Sequence, residues 1–228
     1  MKKTMLTAAV AAAALALPAA AHAGSADGKI QVKLLATGVL PDGDISRVNN
    51  ATAIAGTALA ANPHTYASDN VVPTVAIEYF LNPNVSVETI CCVTKHHVNG
   101  SGSLAGTNLV NDISVIPATL TLKYHAPLGP IKPYVGVGPT LFIMVDSKPG
   151  ATAATFSTST KMSSEVGVAV QAGVDIPLGA SGFALSLDAK KYWVSTTARW
   201  FNAAGTEVLS TKHKLDPWVL SGGVAYRF

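Results

Sequence analysis

The sequence predicts an all-β protein, an eight-stranded antiparallel transmembrane β-barrel with short periplasmic turns and long external loops. Three observations carry this. Side-chain character alternates with a period of two along most of the chain. Charged residues make up only 13% of the sequence, about half the usual share of roughly 25%. Beyond the N-terminal segment, no stretch reads as a transmembrane helix. The longest uncharged run, Val48 to Ser68, is interrupted by Asn49, Asn50, Gly56, Asn62 and Pro63. Low charge without helical spans suits a sheet closed into a ring, where every backbone polar group finds a partner.

The final strand shows the alternation best. In KLDPWVLSGGVAYRF, residues 214–228, one face carries Trp218, Leu220, Gly222, Val224, Tyr226 and Phe228, and the other is mostly small and ends on Arg227. An apolar aromatic face against lipid and a small, polar face against a lumen is the barrel arrangement. At the other end, Lys2 and Lys3 precede an apolar stretch from Met5 to Leu17, and Ala21-His22-Ala23 forms a small-residue cleavage site. Residues 1–23 are therefore expected to be a cleaved signal peptide, and residues 24–228 the barrel, rather than the first segment being a retained anchor. Removing 23 of 228 residues leaves 205, enough for one domain. The signal takes two of the 16 basic residues, leaving 14 against 13 acidic. No basic patch points to nucleic acid.

Eight strands follow in order. The first, about 28–39, points Ile30, Val32 and Leu34 outward and Lys33 inward. The second, about 71–81, points Val75, Ile77 and Tyr79 outward and Glu78 inward. Asn82-Pro83-Asn84 turns the chain. The third, about 85–97, has Val85, Val87 and Val93 outward and Glu88, Ile90 and Cys92 inward. The fourth, about 113–125, has Leu120, Leu122 and Tyr124 outward and Lys123 inward, before a PLGP turn at 127–130. The fifth, about 132–146, sets Val135, Val137 and Leu141 against Tyr134, Gly136 and Gly138. The sixth, about 163–177, sets Val166, Val168, Val170 and Val174 against Gly167, Gln171 and Asp175. After LGASG at 178–182, the seventh, about 183–196, sets Phe183, Leu185 and Leu187 against Ser186, Asp188 and Lys190. Between strands, the segments at about 40–70, 98–112, 147–162 and 197–212 are long and rich in Gly, Ala, Ser, Thr and Asn, and are expected to be external loops. A soluble sandwich or lipocalin-like barrel would invert the faces, with apolar residues inside.

Strand parity sends Lys33, Glu78, Glu88, Lys123, Asp175, Asp188, Lys190 and Arg227 into the lumen, four bases and four acids. Charges in a narrow interior must pair or reach water. Two readings stand: a structural plug of salt bridges in the periplasmic half, which the filled interior of an eight-stranded barrel favours, or a selectivity lining. Cys91 and Cys92 point to opposite faces and should not bridge each other. The histidines form no HExxH, and no GxSxG or CxxC occurs, so no catalytic residue, metal site or cofactor is expected.

The stretches IQVKLLATGVLPDG, VAIEYFLNPNVSVE, PATLTLKYH, KPYVGVG, QAGVDIPL, LSLDAKKYWV and KLDPWVLSGGVAYRF resemble the OmpW family of small outer-membrane proteins. The resemblance implies a Gram-negative outer-membrane location and a narrow, partly hydrophobic lumen. It also implies a passive path for small hydrophobic molecules, the alternative being a structural or surface-interaction barrel without transport. Implied partners are outer-membrane lipid and lipopolysaccharide, small apolar solutes, and the barrel-assembly machinery, which reads the terminal aromatics Tyr226 and Phe228. Cys91-Cys92-Val93-Thr94 departs from relatives, which more often carry alanines and a proline there. Ile90 points inward, and Trp193 corresponds to the family's hydrophobic pocket, although its parity is outward and suits an aromatic girdle equally. Pro117 and Pro139 belong to one hairpin. With a turn centred near residues 128–129, residue 117 is expected opposite 140, so the two prolines would sit close together. They would either open a lateral exit or merely kink the strands.

Overall fold

Period-two alternation becomes a closed sheet. The computed structural model describes residues 24, 25, 27–126 and 128–228, so the expected signal peptide lies outside the described residues, as does Pro127 of the PLGP turn. The wall runs through β1 (Ile30–Leu40), β4 (Asn70–Asn82), β5 (Val85–Cys91), β7 (Asn108–His125), β8 (Lys132–Pro149), β10 (Glu165–Pro177), β11 (Phe183–Trp193) and β14 (Trp218–Arg227). Each pairs antiparallel with its neighbours, and β1 meets β14 from Gln31↔Arg227 to Leu40↔Trp218, closing an eight-stranded barrel. Phe228 completes the seam, exchanging backbone hydrogen bonds with Ile30 at 2.8 and 3.0 Å.

The short turns have local causes. The Asn82 side chain accepts from the backbone N–H groups of Asn84 and Val85, which shapes the turn after β4. Gly129 adopts a positive φ of 63° in the two-residue hairpin bridged by Leu128 and Ile131. That hairpin moves the turn centre by one residue and so shifts the β7–β8 pairing by two from the expected one: Pro117 lies opposite Phe142, and Thr119 opposite Thr140.

The segments expected as long loops are largely sheet. β2 (Asp44–Asn50), β9 (Ser159–Met162), β12 (Ser195–Phe201) and β13 (Glu207–Lys214) form a four-stranded sheet in the order β2-β13-β12-β9. β3 (Pro63–Ala67) pairs with β6 (Thr94–Gly102), which in turn runs along β7. These strands extend the barrel wall beyond the membrane. The physical reason they read as loops is that their faces are reversed. In the membrane the outward face is apolar, as with Leu34, Leu122, Val137 and Leu187, and the inward face is polar. Above it the outside is water, so Leu104, Leu109, Ile113, Trp200 and Leu209 turn inward into a buried apolar core, and Arg47, Lys161, Arg199 and Lys214 turn out. Trp200 donates from its indole N–H to the Leu109 carbonyl at 3.1 Å, tying β12 to β7 inside this upper core.

Candidate functional site: a polar plug beneath an apolar chamber

The lumen has two storeys. The lower one collects the inward charges of β1, β4, β5, β7, β10 and β11. Lys123 places its Nζ 2.9 Å from Glu78 and 2.8 Å from Glu88. Lys33 lies 3.1 Å from Glu78, 3.3 Å from Glu88 and 3.4 Å from Asp175. Lys190 lies 2.7 Å from Asp188 and 3.2 Å from Glu88. All of these side chains are buried. Burying an ion pair costs several kcal/mol per ion unless every remaining lone pair and proton is satisfied, and uncharged groups meet that need. Gln171 donates to Glu88 and Asp188, Gln31 donates to Asp175, and the Tyr134 hydroxyl donates to Asp188. The Lys123 ammonium also sits 3.7 Å from the Tyr134 ring centroid, within cation–π range. Arg227 makes a different contact, donating to the Gly28 carbonyl and lying 3.5 Å over the Phe80 ring at the periplasmic rim.

His125, Ser86, Gln31 and Gln171 belong to this plug and are missing from the set that charge and parity alone pick out. Their inward parity was the available signal. His125 and Ser86 both approach Oε1 of Glu78, at 2.8 Å for the imidazole. Ser86 and Glu78 meet the same ring nitrogen, Nε2, whereas a serine–histidine–acid relay needs opposite nitrogens. The arrangement is a hydrogen-bond knot.

Above the plug the lining changes to hydrocarbon. Val39, Ile90, Ile113, Val115, Pro117, Phe142, Met144, Met162, Tyr192 and Val219 surround a chamber of about 60 Å³. Its floor is the edge-to-face pair of Phe142 and Tyr192, with ring centroids 5.5 Å apart, beside the hydrogen-bonded hydroxyls of Thr119 and Thr140. Ile90 is part of this lining. Trp193 is not: it is 49% exposed on the outer wall, and Tyr192, 1% exposed, takes the interior. Trp193 and Trp218 together face out near the external end of the wall.

Two histidines line the upper part of the chamber. His96 donates from Nδ1 to the Ser68 carbonyl at 2.6 Å and contacts Thr94 through Nε2. His213 contacts the Gly43 carbonyl and Thr65 through Nδ1, and Thr211 through Nε2. Burial holds His213 below the usual imidazole pKa against the raising influence of the Gly43 carbonyl and Asp44. Nearby Asp44 is held below the usual carboxylate range: its partial burial is outweighed by hydrogen bonds from His64 and from the Thr65 and Ile45 N–H groups.

Beside the chamber the wall is interrupted. β5 pairs with β7 up to Ile90↔Thr119, and β6 resumes at Thr94↔Val115 in the same register. Continuing that register puts Cys92 opposite Pro117. Between them the ladder is missing. Pro117 has no N–H to give, and Pro73 stands on the flank of β4, whose ladder to β5 ends at Val75↔Cys91. Among the described residues, Cys92 and Val93 make no backbone hydrogen bond. Cys92 faces the chamber and Cys91 faces out, both as free thiols. Pro139 sits elsewhere, outward on β8 and paired with Val168 of β10, where the β7–β8 ladder skips Leu120 and Thr121. The two prolines flank different seams of the wall.

Comparison with known proteins places this architecture. The OmpW family model matches residues 26–228. An uncharacterized outer-membrane protein of Sinorhizobium fredii, y4mB, is 32% identical over 71% of this chain and 67% of its own. Outer membrane protein AlkL of Ectopseudomonas oleovorans is 28% identical over 84% and 72%, and outer membrane protein W of Vibrio cholerae is 26% identical over the full length of both. Among solved structures, the crystal structure of OprG from Pseudomonas aeruginosa aligns with a TM-score of 0.74 at 23% identity, covering 90% of this chain and 98% of that one. AlkL in lipid bilayers aligns with a TM-score of 0.69 at 25% identity, covering 90% and 92%. The match runs from the first wall strand to the last, through plug, chamber and external sheet alike, and the chain belongs to the OmpW family, as a β-barrel of the Gram-negative outer membrane.

Proposed function

We propose that the barrel is a passive path for small hydrophobic molecules, which enter at the external mouth, cross the apolar chamber and leave sideways into the membrane. One observation carries this reading: beside the chamber, at the level of Cys92 and Pro117, the ladder between the wall strands is missing, directly above the plug of paired ions. A solute in the chamber meets a layer of paired ions below, which it cannot enter without breaking charge-assisted hydrogen bonds. Beside it lies a stretch of wall where no ladder bond has to be broken. Unpaired backbone groups are costly in hydrocarbon and are tolerated where they line a cavity. The exit lies between the strand carrying Cys92 and β7, and Pro117 belongs to it. Pro139 marks a smaller interruption on the far side of β7. The chamber's small volume limits traffic to slender molecules, or requires its side chains to part.

The test uses the native thiol. Pro117→Cys combined with Cys91→Ala places a second thiol opposite Cys92, and oxidation stitches the opening. In liposomes tested with a panel of apolar solutes, uptake is expected to fall to the protein-free rate on oxidation and to return on reduction, with the barrel folded throughout. Uptake that persists in the stitched protein overturns the lateral route. If the unmodified protein moves none of the solutes, the barrel is structural or an interaction surface.

A further inference from the structure

The external sheet carries a charge pattern that the solute path does not use. Strands β13 and β2 lie side by side, with Lys212 opposite Arg47 and Lys214 opposite Asp44. His213 points inward between the two lysines and is buried, so Lys212 and Lys214 project outward together. With Arg47 they rim a groove on the outer wall whose lower part is Val166 and Trp193, 74% and 49% exposed. One carboxylate, Asp216, shares the groove. It is already engaged, accepting from the Val194 N–H at 2.8 Å and lying 3.5 Å from Lys214. Among the described residues no carboxylate lies within ion-pairing distance of Lys212, and the Arg47 guanidinium contacts only the uncharged Asn49. The groove therefore presents uncompensated positive charge. It does so at a defined height: Trp193 and Trp218 mark the aromatic girdle of the external leaflet, and Lys191 lies over the Trp218 ring at 5.3 Å.

We infer that this groove binds the phosphorylated headgroup of an outer-leaflet glycolipid, a lipid A phosphate seated between Arg47, Lys212 and Lys214 with an acyl chain along Trp193 and Val166. Charge complementarity and the order of chemistries name the occupant. A ligand here must be anionic at girdle height and hydrocarbon immediately below, which describes a lipid phosphate and not a soluble polyanion or a free ion. Arginine and lysine donors to phosphate form charge-assisted hydrogen bonds in a site partly shielded by the bilayer. The groove lies outside the chamber, so this inference stands whether or not solutes pass through the barrel.

Native mass spectrometry of the full barrel released from detergent, titrated with bis-phosphorylated lipid A and with the same lipid lacking both phosphates, tests it. The wild type is expected to prefer the phosphorylated lipid by about tenfold or more. Arg47→Gln with Lys212→Gln and Lys214→Gln is expected to lose that preference, while Lys29→Gln with Lys95→Gln and Lys148→Gln, removing equal charge elsewhere, keeps it. Heat-dependent gel mobility confirms that both variants fold. Equal retention of the two lipids, or equal loss in both variants, overturns the site. Displacement of the lipid by millimolar inorganic phosphate reassigns the groove to free anions, and tighter retention of a sulfated polysaccharide reassigns it to polyanions; either result overturns the lipid assignment.

Discussion

Lys123 is the residue on which the plug turns. Its ammonium touches Glu78, Glu88 and the face of Tyr134 at once. Lys123→Met leaves two carboxylates short of a cation in a buried site, and a loss of about 3–5 kcal/mol is expected. Lys123→Met with Glu88→Gln is expected to be less damaging than the two single losses added together, because the pair leaves no stranded charge. Urea titration of barrel mobility on gels reads both, and strict additivity would show separately solvated groups. His213 supports a pH prediction. Its folded-state pKa lies below the unfolded value of roughly 6.5, so the folded state takes up fewer protons than the unfolded chain as pH falls through that value. Its contribution to stability is full above about pH 6.5 and drains away on acidification. The melting temperature is expected to drop from pH 7.5 to pH 5, with a smaller drop in His213→Gln; equal drops would remove His213 as the cause. Inward charge was legible from parity alone because each lumen strand alternates without a slip. His125 and Ser86 were less visible, since a polar residue near a strand end looks the same at a rim as in a knot.

At the scale of the element, the break at Cys92–Val93 is the place where the proposed lateral route would leave the barrel. Its cause is split over three strands: Pro73 on β4, Pro117 on β7 and the dipeptide between them. No single-strand pattern shows it, and period-two reading carries the third strand straight through. Pro117→Val restores a donor, and the ladder between β6 and β7 is expected to close. Backbone amides at residues 91–94 should then exchange with deuterium more slowly, with solute uptake reduced; unchanged exchange would mean that the proline does not hold the gap open. The β7–β8 register shows a different limit. Alternation fixes which face a residue takes, but a shift of two residues preserves every face. Only the turn geometry at Gly129 distinguishes the two registers. The external strands were illegible for a third reason. Their apolar positions point in and their polar positions out, the reverse of the membrane segments, so a search tuned to lipid-facing alternation passes over them.

At the scale of the whole molecule, the barrel closes through its ends. Phe228 is bonded to Ile30 on both backbone groups, and its ring lies beside Tyr226, with centroids 5.9 Å apart. Phe228→Ala removes one side chain of lipid-facing area, about 1.5–3 kcal/mol at most, and refolding in detergent is expected to survive. Insertion in cells is expected to suffer more, since the terminal aromatic is proposed to be what the assembly machinery reads; equal loss in both assays would refute that role. Strand length has its own consequence. β7 and β8 each run for 18 residues. At about 3.3 Å per residue and a tilt near 40°, they rise roughly 45 Å along the membrane normal, against an apolar band about 25 Å tall. Because the periplasmic turns are short, nearly all of the excess, about 20 Å, stands outside the cell. Outside the lipid, an oily molecule meets the hydrated sugar layer of the bacterial surface before it meets hydrocarbon. On the proposed path, a barrel that rises into that layer would take up such a molecule above the lipid surface, so that the route would begin at the raised mouth and not at the bilayer itself.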